Sequence, residues 1–439
     1  MANWQDYYKE HLVTMDEASK QIHDGDNIWL GQTTGIPYNF LNKLHDRQDE
    51  LTNVGVYYNF STDFFDMLFD PSSTEHFRLM SIFSGPLDRA SAQMGVARYN
   101  SNSYEHALRG PLEVYGANTL VIEVCPPDEN GYCNTNVLGA PTNCVMNEDP
   151  RIKKRIAVTN KHQYPAQGDY KTINIPVTQF DFIVEDDHEI SFIPVSDPTD
   201  FDKTIAEYIM PYVKDGDTVQ IGMGGLGEQI TKELYTKNNI KIYTEITVDS
   251  MVPLVESGAV VEVITAGAYG SSKVFDFMST SDKVTTKNIN FMLDPMVIGQ
   301  QDNLVAINCT FMVDLLGQAC SEAQGLKQYS GVGGSFAYLY GATRSKGGRS
   351  FLCLRSTHRD ENGERQTNIV PWLPEGSIVT TPKYIHMFIV SEYGVANVFL
   401  KSNIDRIKAM IKIAHPDFQA RIKEQIISSG MIKEENFSE

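Results

Sequence analysis

The chain has 439 residues, of which 41% are hydrophobic and 21% are charged, and its formal net charge is -19 at pH 7. This composition is typical of a globular protein, and the length is sufficient for two domains of ordinary size. The negative charge argues against nucleic acid or an anionic membrane surface as the main partner, because binding to phosphates requires clustered Lys and Arg side chains.

The start of the chain and its cysteines indicate the compartment. The first residues, MANWQDYYKEHLVTMDE, contain no apolar run behind a basic start, which argues against a secretory signal. No other stretch approaches about 18 uninterrupted apolar residues, so no membrane-spanning segment is predicted and we expect a cytoplasmic protein. The six cysteines include no CxxC pair. We expect them to be reduced thiols, most of them in the core.

A nine-residue segment near the start of the chain recurs 191 residues later, since residues 23–31 (HDGDNIWLG) match residues 214–222 (KDGDTVQIG). Each copy is typical of a helix end, an Asp-Gly turn, a short strand and a loop that opens another helix. The first loop is 31–37 (GQTTGIP) and the second is 222–227 (GMGGLG). The match predicts internal duplication.

Two related α/β domains follow from this duplication, 1–195 and 200–439, joined by the polar, proline-containing stretch 194–200. Short apolar runs of strand length alternate with longer helical patterns in both halves. Examples of these runs are residues 119–124, 181–184, 259–264 and 378–380. Such runs favour parallel sheets that are covered on both faces. The chain is predicted to close with an amphipathic helical region, 404–427, that is broken at His415-Pro416.

Three segments are candidates for ligand binding, because ligands of open α/β sheets gather at the carboxyl ends of strands. The first is the loop 222–227, whose glycines permit close approach to the main chain. A tight turn without a ligand explains it equally well, and its GxGxxG register leaves dinucleotide binding as a minor alternative.

The second candidate is 330–335 (SGVGGS), whose glycine density predicts a special backbone conformation; no Gly-Lys-Ser/Thr follows, so it is not a Walker loop. The third is 242–250, where a predicted strand ends in Glu245. On composition alone, such a glutamate is more often a solvated strand edge or a helix cap.

Seven motifs give the chain a family resemblance. In chain order they are PPDENGY (126–132), GMGGLG (222–227), Thr244-Glu245, AIN (306–308) with VDLLGQ (313–318), SGVGG (330–334), SEYGVA (391–396) and IAHPDF (413–418). From end to end the chain resembles the acetyl-CoA hydrolase/transferase family, which includes 4-hydroxybutyrate CoA-transferases and butyryl-CoA:acetate CoA-transferases. The resemblance implies two homologous α/β domains of the CoA-transferase type, with the active site at their junction.

The resemblance also implies roles for individual residues. It makes Glu245 the nucleophile that attacks an acyl-CoA thioester, giving first an acyl-glutamyl anhydride and then a glutamyl-CoA thioester. The Asn308 side-chain amide and the backbone N–H of Gly333 are expected to stabilise an oxyanion. The backbone N–H groups of Met223 and Gly224 are expected to hold the incoming carboxylate. The predicted reaction moves CoA between a short-chain acyl-CoA and acetate.

The remaining predicted binding residues belong to the loops and to one basic turn. Gly222, Gly225, Gly331 and Gly334 complete the two glycine-rich loops. Lys346, in the turn KGGR, is expected to face the CoA phosphates, although a solvated hairpin explains it equally well. No His, Cys, Asp or Glu set has metal-ligand spacing, so we expect no metal and no cofactor beyond CoA as substrate. The family resemblance suggests a homo-oligomer, a dimer or a tetramer.

The chain departs from the family pattern in two places. Ser335-Phe336-Ala337 stand where many members have Gln, a residue and Asp, which puts the acceptor acid in doubt, and Phe311 and Met312 are expected to narrow the acyl pocket. Because the loop 31–37 is polar and poor in glycine, we expect the first half of the chain to shape the active site more than to take part in catalysis. Two alternatives stay open: a short-chain acyl-CoA hydrolase that uses the same glutamate, and a non-catalytic CoA-binding protein.

Overall fold

The structure is a computed structural model that describes residues 3–193 and 195–437. They form two compact units: the first comprises 1–194 with 245–252 and 263–292, and the second comprises 195–244 with 253–262 and 293–439. Residue 194, in the predicted linker, lies outside the described residues. The predicted domain bounds of 1–195 and 200–439 stay a prediction.

The first half of the chain alternates strands and helices, as predicted. Its strands are β1 (Asn27–Gln32), β2 (Val54–Asn59), β3 (Phe77–Ser81), β4 (Arg98–Tyr99), β5 (Thr119–Val124), β6 (Tyr132–Asn134), β7 (Lys154–Thr159), β8 (Asn174–Pro176) and β9 (Phe182–Glu185). Its α-helices are α1 (Trp4–His11), α2 (Met15–Ser19), α3 (Tyr38–His45), α4 (Pro86–Gln93), α5 (Asn136–Glu148) and α6 (Tyr170–Ile173).

The second half begins with the same alternation and then adds short strands. Its strands are β10 (Thr218–Ile221), β11 (Ile240–Val248), β12 (Val260–Tyr269), β13 (Val284–Thr286), β14 (Leu304–Cys309), β15 (Met312–Asp314), β16 (Ala319–Cys320), β17 (Ala323–Gln324), β18 (Lys327–Gln328), β19 (Arg349–Cys353), β20 (Thr357–Arg359), β21 (Arg365–Thr367), β22 (Ile369–Val370), β23 (Phe388–Ser391) and β24 (Gly394–Asn397). Its α-helices are α7 (Asp200–Ile209), α8 (Gly225–Glu233), α9 (Met251–Glu256), α10 (Ser272–Thr280), α11 (Ile289–Met292), α12 (Pro295–Ile298), α13 (Ser335–Arg344), α14 (Asn403–Ile413) and α15 (Pro416–Ser428).

The two large sheets share one strand order. The first runs β4-β3-β2-β1-β5-β7-β9, and the other runs β13-β12-β11-β10-β14-β19-β23-β24. The first sheet is parallel, and in the other β24 is antiparallel to β23. Strands such as β2 and β5 are buried along their whole length, as parallel strands covered on both faces require. The predicted α/β fold is confirmed.

The duplicated segments repeat individual contacts as well as strand order. Asp26 pairs with Lys154 at 2.9 Å in the first copy, and its counterpart Asp217 pairs with Arg349 at 2.8 Å in the second. The turn glycine Gly25 has φ 78°, and its counterpart Gly216 has φ 79°. The agreement of a turn conformation and of an ion pair between distant strands is what a duplication predicts.

Two predictions of local structure have opposite outcomes. The helix break at His415-Pro416 is confirmed, because α14 ends at Ile413 and α15 begins at Pro416. The strand predicted at 378–380 is wrong. This segment is an irregular loop in which the Thr380 N–H donates to the Ala319 carbonyl. Three residues are too few for an apolar pattern to distinguish a strand from a loop.

No helix within the described residues is both long enough and apolar enough to span a lipid bilayer. All six cysteines are free thiols, five of them buried and Cys309 exposed. The prediction of unpaired thiols, most of them in the core, is therefore confirmed.

Candidate active site

Glu245 lies within β11 and begins the segment 245–252 of the first unit. The residue is half-buried, and its carboxyl group forms no hydrogen bond with the side chains or backbone of the described residues. Its backbone carbonyl accepts a hydrogen bond from the Thr265 hydroxyl at 3.2 Å. Burial raises the pKa of the Glu245 carboxyl to about 7. Such a desolvated carboxylate, free of competing partners, is suited to act as a nucleophile.

A directional chain of hydrogen bonds lies beside Glu245 in the first unit. Tyr104 is 4% exposed, and its pKa is raised by burial and also by the Glu245 charge. The Tyr104 hydroxyl donates to Asn59 Oδ1 at 2.7 Å, and Asn59 Nδ2 donates to Gln32 Oε1 at 3.2 Å. Gln32 Nε2 in turn donates to the Leu138 carbonyl. Each polar group of this chain is therefore fixed in orientation.

Sequence reasoning missed Tyr104 and Asn59. The internal duplication could have pointed to Asn59. The strand pairings of the two copies make Gly55 of β2 correspond to Lys241 of β11. Four residues further along, Asn59 corresponds to Glu245, so the first copy has a carboxamide where the second has a carboxylate. Tyr104 follows no such pattern, because it comes from a one-turn helix outside the repeated strands.

The loop predicted at Gly222 to Gly225 lies in the second unit, between β10 and α8. Gly224 has φ 105°, a conformation that L side chains rarely adopt, and it caps the start of α8. The first backbone N–H groups of a helix have no partner within the helix. The Met223 side chain is 46% exposed. This loop has the backbone geometry expected of an anion-binding turn.

Asn308 lies at the carboxyl edge of the same sheet as this loop. In the parallel ladder between β10 and β14, Ile221 pairs with Ile307, so Gly222 and Asn308 follow the last pair together. Asn308 Nδ2 donates to Gln220 Oε1 at 2.9 Å, which orients the amide. Its second N–H has no partner among the described residues. The structure therefore brings two of the predicted elements, the loop and the amide, to one edge.

The chain next to Glu245 is anchored to this edge. Thr244 is buried, and its hydroxyl donates to the Ile221 carbonyl at 2.7 Å. Ile221 is the last residue before the loop that starts at Gly222. The hydrogen bond fixes the backbone immediately before the carboxylate.

The second glycine cluster precedes α13. Gly331, Gly333 and Gly334 are buried, Gly333 has φ 68°, and Gly334 caps the helix. The special backbone conformation predicted for this cluster is thus confirmed at Gly333. The Ser335 hydroxyl, at the first helical position, is buried without a partner in the described parts of the chain.

Lys346 lies away from Gly222 and Asn308. It is exposed, and its carbonyl accepts from the N–H of Asn303, the residue that precedes β14. Because β14 and β19 are parallel, the turn before β19 lies at the amino edge, opposite Asn308. The nearby Arg349 is committed to Asp217. A role of Lys346 in CoA binding stays a prediction.

Within residues 3–193 and 195–437, no group of three His, Cys, Asp or Glu side chains is arranged to hold a metal ion.

A family profile matches the second half of the chain, and individual relatives match nearly its whole length. The profile of the acetyl-CoA hydrolase/transferase C-terminal domain matches residues 270–426. The chain is 30% identical to the 4-hydroxybutyrate coenzyme A transferase of Clostridium kluyveri, over 96% of this chain and 98% of that protein. It is 28% identical to the butyryl-CoA:acetate CoA-transferase of Anaerostipes caccae, over 96% of each.

A solved structure is also similar. The crystal structure of RipA from Yersinia pestis superposes with a TM-score of 0.89 and 26% sequence identity, covering 98% of this chain and 100% of that one. The family profile, the full-length identity and the shared fold lead to one conclusion: the chain belongs to the acetyl-CoA hydrolase/transferase family.

Proposed function

We propose that the protein is a CoA-transferase that exchanges CoA between a short-chain acyl-CoA and acetate or a similar acid. The observation that carries this proposal is Glu245, a desolvated carboxylate with no competing hydrogen-bond partner and a pKa raised to about 7. A carboxylate nucleophile conserves the free energy of the thioester, because the anhydride that it forms is itself an activated acyl group. Membership of the family supports the same reading.

The proposed reaction is a series of acyl transfers between CoA, Glu245 and the carboxylic acid. A Glu245 carboxylate oxygen attacks the thioester carbonyl, the C–S bond breaks, and CoA leaves as a thiolate from an acyl-glutamyl anhydride. The thiolate then attacks the glutamyl carbonyl, which releases the acyl group as a free carboxylate and leaves a glutamyl-CoA thioester. The acceptor acid runs the two steps in reverse and departs as the new acyl-CoA, which restores Glu245.

Each tetrahedral intermediate places a negative charge on oxygen, and loss of one preorganised donor typically costs about 3 kcal/mol. We assign the free N–H of the Asn308 amide and the backbone N–H of Gly333 to this role. The backbone N–H groups of Met223 and Gly224 hold the carboxylate substrate, and Gly222, Gly225, Gly331 and Gly334 shape the two loops.

Lys346 has no role in this proposal, because it lies at the opposite edge of the sheet from Asn308; its contact with the CoA phosphates remains a prediction from the sequence. A cytoplasmic location and a dimer or tetramer remain predictions from the sequence.

The test is to trap the covalent intermediate. The protein is incubated with butyryl-CoA alone and treated with borohydride, which reduces a glutamyl thioester to an alcohol, and its peptides are analysed by mass spectrometry. We expect the modification on Glu245, and no modification when acyl-CoA is omitted. If Glu245 stayed unmodified in an active preparation, the assignment of Glu245 as the nucleophile would be wrong.

The same preparation separates the alternatives. A transferase releases little free CoA from butyryl-CoA without acetate and forms acetyl-CoA when acetate is added. Rapid release of free CoA that is indifferent to acetate would identify a hydrolase. Binding of butyryl-CoA with neither reaction would identify a non-catalytic CoA-binding protein.

A further inference from the structure

Glu123 is a buried carboxyl group of the first unit that the proposed reaction does not use. It is the next-to-last residue of β5 and is 0% exposed. Its oxygen Oε1 accepts hydrogen bonds from Asn160 Nδ2 at 2.8 Å and from Gln163 Nε2 at 2.7 Å. Its other oxygen, Oε2, is buried and has no hydrogen-bond partner among the described residues. The two oxygens therefore differ as the carbonyl and the hydroxyl oxygen of a carboxylic acid differ.

The side-chain amide of Gln163 has the complementary pattern. Its nitrogen Nε2 donates to Glu123 Oε1 and also to the Thr34 carbonyl, the latter at 2.8 Å. These two acceptors fix the orientation of the amide, because the reverse orientation would place its oxygen against two other oxygens. The amide oxygen, Oε1, is buried without a partner in the described parts of the chain.

A single proton satisfies both of the unpartnered oxygens. A carboxylic acid and a primary amide form a ring of two hydrogen bonds, in which the amide N–H donates to the acid carbonyl and the acid O–H donates to the amide carbonyl. The first of these bonds joins Gln163 to Glu123. A proton on Glu123 Oε2 supplies the second. Without this proton, two buried acceptors have lost hydration and gained no donor, which costs free energy.

His188 is the nearest basic group to Glu123, and it is shared with a second carboxylate. Its Nε2 lies 3.5 Å from Glu123 Oε1, whereas its Nδ1 lies 3.3 Å from Asp186 Oδ2. The hydrogen bond to Asp186 is the main cause of the raised pKa of His188. For Glu123, burial raises the pKa to about 7 and outweighs the opposite effect of the His188 charge. His188 is thus a weak counter-ion for Glu123.

The other titratable groups around Glu123 in the described chain offer no free positive charge. Lys161 and His162, in the segment after β7, both pair with Asp187. Asp63 adds negative charge beside His188, and burial raises the pKa of the Cys125 thiol to about 12, so this thiol is neutral. The loop 31–37 contains no titratable side chain. A buried carboxylate at Glu123 would therefore lack the paired cation that such a charge needs.

We infer that Glu123 binds a proton in the folded protein and donates it to the side-chain carbonyl of Gln163, which makes a buried acid–amide pair. The pair connects β5 to the segment after β7, which contains Gln163, and to the Thr34 carbonyl after β1. Loss of the proton to solvent removes the O–H bond and leaves a buried charge. The pair is therefore a pH-sensitive connection within the first unit, and it does not depend on the proposed CoA-transferase function.

The first test compares urea unfolding of the wild type and of Glu123→Gln, whose side-chain N–H replaces the acid O–H at every pH. The Glu123 pKa is about 7 in the folded protein and 4.5 as the reference value, so ionisation opposes folding between these values and the loss persists above them. From pH 5 to pH 8 the unfolding constant of the wild type should rise about 30- to 100-fold relative to that of Glu123→Gln.

The opposite proton position gives a different result in the same experiment. If Glu123 were ionised and held by His188, the ratio of the two unfolding constants would fall as the pH rises. If it were ionised and held by a bridging water, the ratio would not change with pH. Either result would overturn the inference.

Two further variants separate Glu123 from its neighbours. In a His188→Asn background, the pH-dependent difference between Glu123 and Glu123→Gln should persist, because the proton is on the carboxyl group. Its disappearance would assign the titration to His188 and contradict the inference. Glu148→Gln changes an exposed glutamate at the end of α5 and is the matched control, which should leave the pH dependence of unfolding unchanged.

Infrared difference spectra test the partner of the acid. The wild type at pH 6 minus pH 8.5 should show the carbonyl stretch of a protonated carboxylic acid that Glu123→Gln lacks, and absence of this band would refute the protonation. In Gln163→Met the band should move to higher wavenumber, because the acid has lost the hydrogen bonds of the amide. An unmoved band would show that Glu123 donates to another group. If Gln163→Met does not fold, Gln163→Asn, which withdraws the amide by one methylene, provides the same comparison.

Discussion

The two copies of the repeated strand arrangement carry different chemistry at corresponding positions. Where β11 has Glu245, β2 has Asn59, and where the loop after β10 has Gly224, the loop after β1 has Thr33. Both loop residues have positive φ, 105° at Gly224 and 48° at Thr33. The second copy has a carboxylate and a glycine at these positions, whereas the first copy has polar side chains. In the proposed function, only the second copy supplies the nucleophile.

The hydrogen bonding of these corresponding residues shows the same division. The Asn59 amide is occupied on both sides by Tyr104 and Gln32, whereas the Glu245 carboxyl has no partner among the described residues. A group that is fully hydrogen-bonded stabilises the structure around it. A group without partners can bond to a substrate instead.

The largest expected effect comes from deleting the unpartnered carboxylate. Glu245→Gln should lower the rate of CoA exchange at least about a thousandfold, because an amide cannot form the anhydride. The measurement is acetyl-CoA formation from butyryl-CoA and acetate. Glu256→Gln, an exposed glutamate in α9, is the matched control and should retain full activity. Comparable exchange by the Glu245→Gln protein would remove the catalytic distinction between the two copies.

Removal of the oriented amide at the carboxyl edge should have the next largest effect. We expect Asn308→Ala to lower kcat about 100- to 1000-fold with a smaller change in KM, because the lost N–H acts on the oxyanion of the transition state. Steady-state kinetics with butyryl-CoA measure this difference. Asn362→Ala, at an exposed turn, serves as control. A change confined to KM would show that Asn308 binds substrate only.

Glu123, on β5 of the first copy, is a second buried carboxyl, and burial raises its pKa to about 7, as it does for Glu245. Glu123 Oε1 accepts from Asn160 Nδ2 at 2.8 Å and from Gln163 Nε2 at 2.7 Å. Each of these amides also donates to a backbone carbonyl, so Glu123→Ala removes one of its two acceptors. We therefore expect the free energy of unfolding to fall by about 2 to 4 kcal/mol. Urea denaturation measures this loss. Unchanged stability would contradict a structural role.

The smallest expected effect is that Glu245→Gln makes the folded protein more stable than the wild type at high pH only. The Glu245 pKa is about 7 in the folded protein and 4.5 as the reference value, so ionisation opposes folding. Wild-type stability should therefore fall as pH rises from about 4.5 to about 7 relative to Glu245→Gln. The two proteins should match below this window, and the variant should be more stable by about 1 to 3 kcal/mol above it. Denaturation at pH 4 and pH 8 checks both limits, and an equal difference at both would refute the raised pKa.

Local sequence patterns determined much of this protein. The match between residues 23–31 and 214–222 predicted two copies of an α/β arrangement, and the dense glycines of 330–335 predicted the special backbone conformation found at Gly333. Pro416 fixed the break between the last two long helices. These features depend on turn chemistry and apolar periodicity within a few residues, which a single sequence displays.

Other features were decided only by the tertiary structure. Tyr104 and Asn59 are 45 residues apart in the chain, and their contact follows from sheet order and register. The same sheet places Lys346 at the amino edge and Asn308 at the carboxyl edge, although the sequence analysis assigned both to the binding of one substrate. Which groups meet, and which buried hydroxyls such as Thr34 Oγ1 lack a partner, depends on packing between distant segments, for which local patterns carry no signal.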